Sequence, residues 1–329
     1  LWRSSNCFPF ATFIMAWPMT KHEANLDIEN TVRERYSAAA TEKEAALCCP
    51  VQYEGKYLEV LPQELIERDY GCGNPSKHVS TGETVLDLGS GGGKICYILS
   101  QVVGPEGRVI GVDQNDEMLA LARRYQQQIG DQVGWHNTTF LQGNIQDLAL
   151  DLSALGTFLA ENPVQNVNDW QQATRWSETQ RKQQPLIPSN SIDVVVSNCV
   201  LNLVDPKDRE QMFAEIARVL RPGGRAVISD IVSDQTVPSH LKNDPKLWSG
   251  CISGAYAEHK LIEAFGETGF KRVQILNRQS YPWTIVEGIE FRSLTVRAFK
   301  KNEGEEEADD PLLTLLPAED CCDPDNGCC

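Results

Sequence analysis

Short apolar strands alternate with amphipathic helices along most of the 329 residues. This pattern predicts a doubly wound α/β fold around a seven-stranded, mostly parallel sheet. Two further observations point the same way. Val194, Val195 and Val196 are consecutive, which suits a strand covered on both faces. The run Gly89-Ser90-Gly91-Gly92-Gly93 follows an apolar strand directly and opens a helix.

The elements follow in order. Ile28, Val32, Tyr36 and Ala39 recur at helical spacing, so residues 27–47 read as a helix. Cys48-Cys49-Pro50 stops it, because proline disfavours helix in the residue before it. A short helix is expected over 63–69, then a loop through Gly71, Gly73 and Pro75. Strands are expected at 85–88, 108–112, 138–141, 192–197, 226–231, 272–276 and 293–299, with helices at 94–103, 115–128, 206–220 and 257–268. Asp205 reads as the N-cap ahead of Pro206, and Gly269 ends the last helix. No helix is evident between the final two strands, so one of them should run antiparallel. Residues 151–190 break the rhythm. Rich in Gln and Asn, they read as a surface excursion with no catalytic part, the alternative being an insertion over the active mouth.

Thirty Lys and Arg against 46 Asp and Glu give a net charge of −16, which opposes nucleic-acid binding. Much of the imbalance lies in residues 301–329, which hold ten acidic residues against Lys301 alone and read as a solvated, disordered extension. Eleven cysteines cannot all pair within one chain, and a large core makes disulfide stapling unnecessary. A reducing, cytoplasmic setting is expected, with thiols kept for chemistry or for metal. The apolar stretch at 7–19 is broken by Pro9 and Pro18 and falls short of the roughly 20 residues of a spanning helix. No membrane partner is expected, and residues 1–18 read as upstream sequence or a remnant leader ahead of Met19. Four segments result: a leader or disordered stretch at 1–20, a nucleotide-binding domain at 21–235, a smaller substrate-binding portion at 236–300, and the acidic, cysteine-rich tail at 301–329.

The glycine run carries the first chemistry. Gly89 and Gly91 let the backbone approach a ligand closely. Lys94 stands where a dinucleotide fingerprint would place its last glycine. The second strand ends in Gly111-Val112-Asp113, and an ionised carboxylate there is an acceptor suited to a ribose diol. After the third strand, Asn144 and Ile145 offer a polar and an apolar contact to an adenine. Together these elements resemble the class I S-adenosylmethionine-dependent methyltransferases, a Rossmann-like fold, and Leu220-Arg221-Pro222-Gly223-Gly224 is similar to that family too. The resemblance implies S-adenosyl-L-methionine held by Asp87, Gly89, Ser90, Gly91, Asp113, Gln114, Met118, Asn144, Ile145 and Asn198.

Cys72, Cys199 and Cys251 lie in three separate loops, and Cys199 falls at the end of the fourth strand, where ligands collect. Three such thiols suggest a thiol-seeking element as substrate. Tyr70-Gly71-Cys72-Gly73, Ser197-Asn198-Cys199-Val200-Leu201-Asn202-Leu203 and Gly250-Cys251-Ile252-Ser253-Gly254 resemble the cysteine segments of arsenite methyltransferases. Phe291 to Lys300 is similar to that family's last strand, and the resemblance covers roughly residues 55–300. It implies that Cys72, Cys199 and Cys251 bind As(III). It also implies that Cys48 or Cys49 forms a disulfide during turnover, which glutathione or thioredoxin reopens.

The chemistry agrees. Arsenic bound by three sulfurs keeps a lone pair that carries no proton, so its methylation needs no general base, and no His/Asp or His/Glu constellation is evident. A monomer acting on small arsenicals is expected. Cys96 and Cys7 read as small buried hydrophobes. Cys321, Cys322, Cys328 and Cys329 form two doublets that read equally as a metal site or an idle tail. Two other functions compete: methylation of carbon or oxygen on a small metabolite, and metal sensing on an inactive methyltransferase fold.

Overall fold

The computed structural model describes residues 27–42, 44, 51–68 and 70–302, and the backbone of 313–315. Helix α1 (Ile28–Thr41) starts at Asp27, whose side chain accepts the Asn30 N–H. Two short turns follow, α2 (Gly55–Leu58) and α3 (Gln63–Glu67). The alternating unit then runs β1 (Thr84–Leu88), α4 (Lys94–Val103), β2 (Arg108–Asp113), α5 (Asp116–Val133), β3 (Thr138–Gln142), α6 (Leu152–Glu161), α7 (Val167–Gln183), β4 (Ile192–Asn198), α8 (Arg209–Val219) and β5 (Leu220–Ser233). After α9 (Ser239–Lys242) and α10 (Pro245–Ser249) come β6 (Tyr256–Ala257), α11 (Glu258–Glu267), β7 (Phe270–Arg278), β8 (Thr284–Val286), β9 (Ile289–Lys300) and β10 (Leu313–Leu315).

The sheet order is β10-β7-β9-β5-β4-β1-β2-β3, with β6 beside β5 and β8 beside β9. All seven expected strands are present, and three short ones bring the sheet to ten strands among the described residues. The expected antiparallel strand is β9, which runs against β5 and β7. From β1 the chain winds outward through β2 to β3, then returns to build β4 and β5 on the other side. The topological switch lies between β1 and β4, and ligands bind outside the carboxyl ends there.

The alternation of side chains along each strand builds two cores. Val194 and Val196 face one layer with Val85, Tyr97 and Phe140, while Val195 faces the other with Leu86, Phe213 and Phe265. Burying each such side chain contributes about 1.5–3 kcal/mol. No helix among the described residues is long and apolar enough to cross a membrane.

Two expectations need correction. The helix after β4 begins at Arg209, because Pro206–Asp208 form a 3-10 turn, with Asp205 accepting the Lys207 N–H. Strand β5 begins at Leu220, and its pairing with β4 shifts register between Ile192 and Val194. Residues 151–190 are helical for most of their length. A capping box between Asn166 and Asp169 starts α7, and Phe158 on α6 stacks on Trp176 at 4.7 Å. The stem closes through Leu186 and Ile187, whose N–H groups donate to Ala149 and Leu148.

Candidate active site

The carboxyl ends of β1, β2 and β4 open onto a cleft enclosing about 1150 Å³, solvent at its mouth included. Gly89, at φ +67°, turns the chain from β1 towards α4. A Cβ there would also lie 2.5 Å from Val200, so the loop after β4 rests directly on this backbone. Asp113 Oδ2 accepts the Gly91 N–H at 2.8 Å and Oδ1 accepts the Asn115 N–H at 2.9 Å. Burial raises the Asp113 carboxyl above the usual carboxylate range, while the N–H groups of Asn115 and Gly91 draw it back. The hydroxyl of Ser90 is buried and has no hydrogen-bond partner among the described residues. A carboxylate with acceptor capacity to spare and an orphaned hydroxyl, both lining one cleft, fit a ribose-bearing cofactor.

Of the residues singled out for the cofactor, Asp87, Gly89, Ser90, Gly91, Asp113, Gln114, Met118, Ile145 and Asn198 all line this cleft. Asn144 does not. It forms an isolated bridge with Asp147, and Gln146 lines the cleft beside Ile145. Asn198 has a second task. Its Oδ1 accepts the N–H groups of Cys72 (2.8 Å) and Gly73 (3.0 Å), and its Nδ2 donates to the Gly73 carbonyl at 2.8 Å. Gly71 must be glycine for this latch to close, since a Cβ there would lie 2.1 Å from Asn198 Nδ2.

The latch brings the Cys72 loop against the end of β4. Cys72 and Cys199 are joined by a disulfide, with their Cα atoms 5.8 Å apart. The resemblance instead implies Cys48 or Cys49 as the disulfide partner. Both lie outside the described residues, as do Cys321, Cys322, Cys328 and Cys329. Cys251 Sγ approaches the Cys199 carbonyl at 3.4 Å. All three cysteines are buried in one cluster with Ile231, Ile252 and Phe291. Cys199 and Cys251 hold φ of +60° and +63°. Left-handed backbone costs a residue with a Cβ about 1–2 kcal/mol, and such strain concentrates at functional sites. Cys96, by contrast, sits in the core, with Sγ 3.2 Å from Asp87 Oδ2.

Several site residues went unnoticed in the sequence. Asp230, buried three residues before the end of β5, has a carboxylate oxygen within 4.8 Å of the Cys72 and Cys199 sulfurs. Burial pushes its carboxyl up to about 6, against the N–H groups of Ile231, Leu201 and Asn202. Tyr36 of α1 lines the cleft and stands edge-on to Tyr70 at 6.1 Å, and burial, with the neighbouring Cys251, raises its hydroxyl well above the usual range. Lys94 lines it too, with Nζ 4.2 Å from the centre of the Tyr53 ring. A carboxylate inside an otherwise apolar strand was a signal for Asp230; Tyr36 read only as part of a helical apolar face.

Fold and cleft together define a methyltransferase of the doubly wound class, a fold that supports S-adenosylmethionine binding. Residues 79–279 match the family described as Methyltransferase domain. The arsenite methyltransferase of Halobacterium salinarum is 32% identical over 278 residues, covering 77% of this chain and 60% of that protein. The arsenite methyltransferase of Aquipseudomonas alcaligenes is 30% identical, covering 79% and 68%. The crystal structure of an arsenic(III) S-adenosylmethionine methyltransferase from Chlamydomonas reinhardtii superposes with a TM-score of 0.60 at 27% identity, covering 79% of this chain and 77% of that one. The chain belongs to the arsenite methyltransferase family. It spans about 60% of the length of the Halobacterium salinarum relative.

Proposed function

We propose that the protein, as a cytoplasmic monomer, methylates trivalent arsenic for detoxification, with the arsenic held by the sulfurs of Cys72, Cys199 and Cys251. The observation that carries this reading is the convergence of three loop cysteines at the edge of the cofactor cleft, with Cys199 itself among the lining residues. Soft thiolates suit trivalent arsenic, and each loses its proton on coordination.

S-Adenosylmethionine supplies a methyl group on a positively charged sulfur. Asp113 and Ser90 would hold its ribose, and Ile145 with Gln146 would pack against the adenine. The cysteines fix the pyramidal arsenic with its lone pair towards the cleft, so the protein acts chiefly by alignment. Cys72 and Cys199 must first be thiolates. Two equivalents of a cellular thiol reopen their disulfide, becoming oxidised to a disulfide themselves. Methylation oxidises arsenic by two electrons. Return to the trivalent state takes two thiols to a disulfide, for which Cys48 or Cys49 is a candidate contributor.

The test is incubation with arsenite, S-adenosylmethionine and glutathione, followed by separation of the arsenic species. Wild type should yield methylated arsenic, and Cys199→Ser should not. A Cys199→Ser enzyme working at the wild-type rate would refute the ligand assignment.

A further inference from the structure

Three polar side chains behind the cysteines have no part in the chemistry above. Asn202 is buried in the 3-10 turn just after Cys199. Its Nδ2 donates to Asp230 Oδ1 at 2.8 Å and to the Ile231 carbonyl at 2.6 Å, and lies 3.5 Å from the Cys251 carbonyl. Arg209, at the start of α8, donates from Nη2 to the carbonyls of Gly254 (2.8 Å) and Asn202 (3.3 Å), and from Nε to the carbonyl of Val204 (3.1 Å). Its guanidinium stacks on Tyr256 at 4.6 Å from the ring centre. The two cysteine loops touch here, since a Cβ on Gly254 would lie 1.9 Å from the Asn202 carbonyl oxygen. None of Asn202, Arg209 and Asp230 lines the cleft.

Asp230 lies near two of the sulfurs, yet it is poorly placed to serve as a further ligand. Oδ1 accepts from the Ile231 N–H and from Asn202, and Oδ2 accepts the Leu201 N–H at 2.9 Å. Three of its roughly four lone pairs are therefore already taken, two of them by Leu201 and Asn202 of the turn after Cys199.

We infer that Arg209, Asn202 and Asp230 form a polar clamp that fixes the Cys251 loop against the Cys199 loop, and so sets the spacing of the second and third sulfurs. The inference rests on the three-thiolate reading above. The loops carry only a few buried apolar side chains of their own, and Cys199 and Cys251 both hold left-handed backbone. A strained conformation persists only where its surroundings over-determine it. The clamp supplies that constraint from behind, on the side away from the cleft that Cys199 lines. Arg209, Asn202 and Asp230 are therefore positioning residues.

The experiment compares wild type, Arg209→Lys, Arg209→Met and Asn202→Ala, each reduced with a phosphine and loaded with arsenite. Arsenic-edge X-ray absorption counts the sulfur neighbours. Titrations give the dissociation constants for arsenite and for S-adenosylhomocysteine. Wild type should show three sulfurs. Arg209→Met and Asn202→Ala should show two sulfurs and an oxygen, with arsenite bound at least tenfold more weakly and the nucleotide within twofold of wild type. Arg209→Lys keeps the charge but loses the forked donor geometry, so it should fall between. If Arg209→Met does not fold, Arg209→Lys and Asn202→Ala carry the same comparison. Three sulfurs and unchanged arsenite affinity in the variants would overturn the clamp alone. Fewer than three sulfurs in wild type would overturn the ligand assignment, and the clamp with it.

Discussion

Replacing Asn198 by Ala should uncouple the Cys72 loop from the rest of the site. The side chain makes three hydrogen bonds to the backbone of Cys72 and Gly73, all at 3.0 Å or less. A net contribution of about 1 kcal/mol for each gives about 3 kcal/mol holding the loop in place. If arsenic must restore that order on binding, its affinity falls by about two orders of magnitude, since 1.4 kcal/mol is a factor of ten. Asn198→Asp keeps the acceptor for both N–H groups and loses the donor to the Gly73 carbonyl. Its penalty should be nearer tenfold. The assay is titration of reduced protein with arsenite, followed by the emission of tryptophan, for which Trp248 of α10 is placed three residues before Cys251. Asn198 also lines the cofactor cleft, so S-adenosylhomocysteine affinity is measured in parallel. An Asn198→Ala protein that binds arsenite within threefold of wild type would refute the reasoning. A nucleotide penalty as large as the arsenite penalty would refute it too, by making Asn198 a cofactor contact first.

Four other outcomes are expected. Cys251→Gly should be more stable than Cys251→Ala by about 1 kcal/mol in urea unfolding, because only the alanine keeps a Cβ at φ +63°; equal stabilities would contradict that. Gly73→Ala places a Cβ 2.5 Å from Ser229, so about 1–3 kcal/mol of overpacking should appear as a lower midpoint of thermal unfolding and weaker arsenite binding. Replacing residues 152–183 by a short linker should leave methyl transfer above half the wild-type rate, since neither α6 nor α7 lines the cleft; loss of turnover in a folded protein would show that the hairpin serves catalysis. Asp113 binds its proton more readily in the folded protein than in the unfolded chain, so acidification should weaken S-adenosylhomocysteine binding, beginning above the ordinary carboxylate range. Calorimetry from pH 8 to pH 4 checks this, and a flat profile would be inconsistent with ionised Asp113 holding the ribose.

The strands were legible because sheet burial writes itself into composition. Val194, Val195 and Val196 face alternate cores, so all three are apolar, and the run marks a central strand. Residues 151–190 hid their helices for the opposite reason. On α7 only Ala173 and Ser177 are buried, so no apolar stripe records the helical period. Its start was written in the Asn166 and Asp169 capping box, a polar signal that a search for apolar periodicity passes over.

The cysteines were legible one at a time, as thiols in glycine-flanked loops, but their convergence was not. Gly71 and Gly73 read as turn residues, whereas in the structure they make room for Asn198 and Ser229. Those partners lie more than 120 residues away along the chain, and no local pattern states the match. The same holds for Asn202, which reads as part of a cysteine segment and serves to tie Asp230 and Ile231 to the loop after Cys199. A sequence displays the groups that meet substrate because their chemistry is unusual. The groups that place them are ordinary amides, carboxylates and glycines, recognisable only when the fold shows what each one touches. Asn198 joins both kinds: next to Cys199 in sequence, it binds the Cys72 backbone in space and so links two of the three thiols through one side chain.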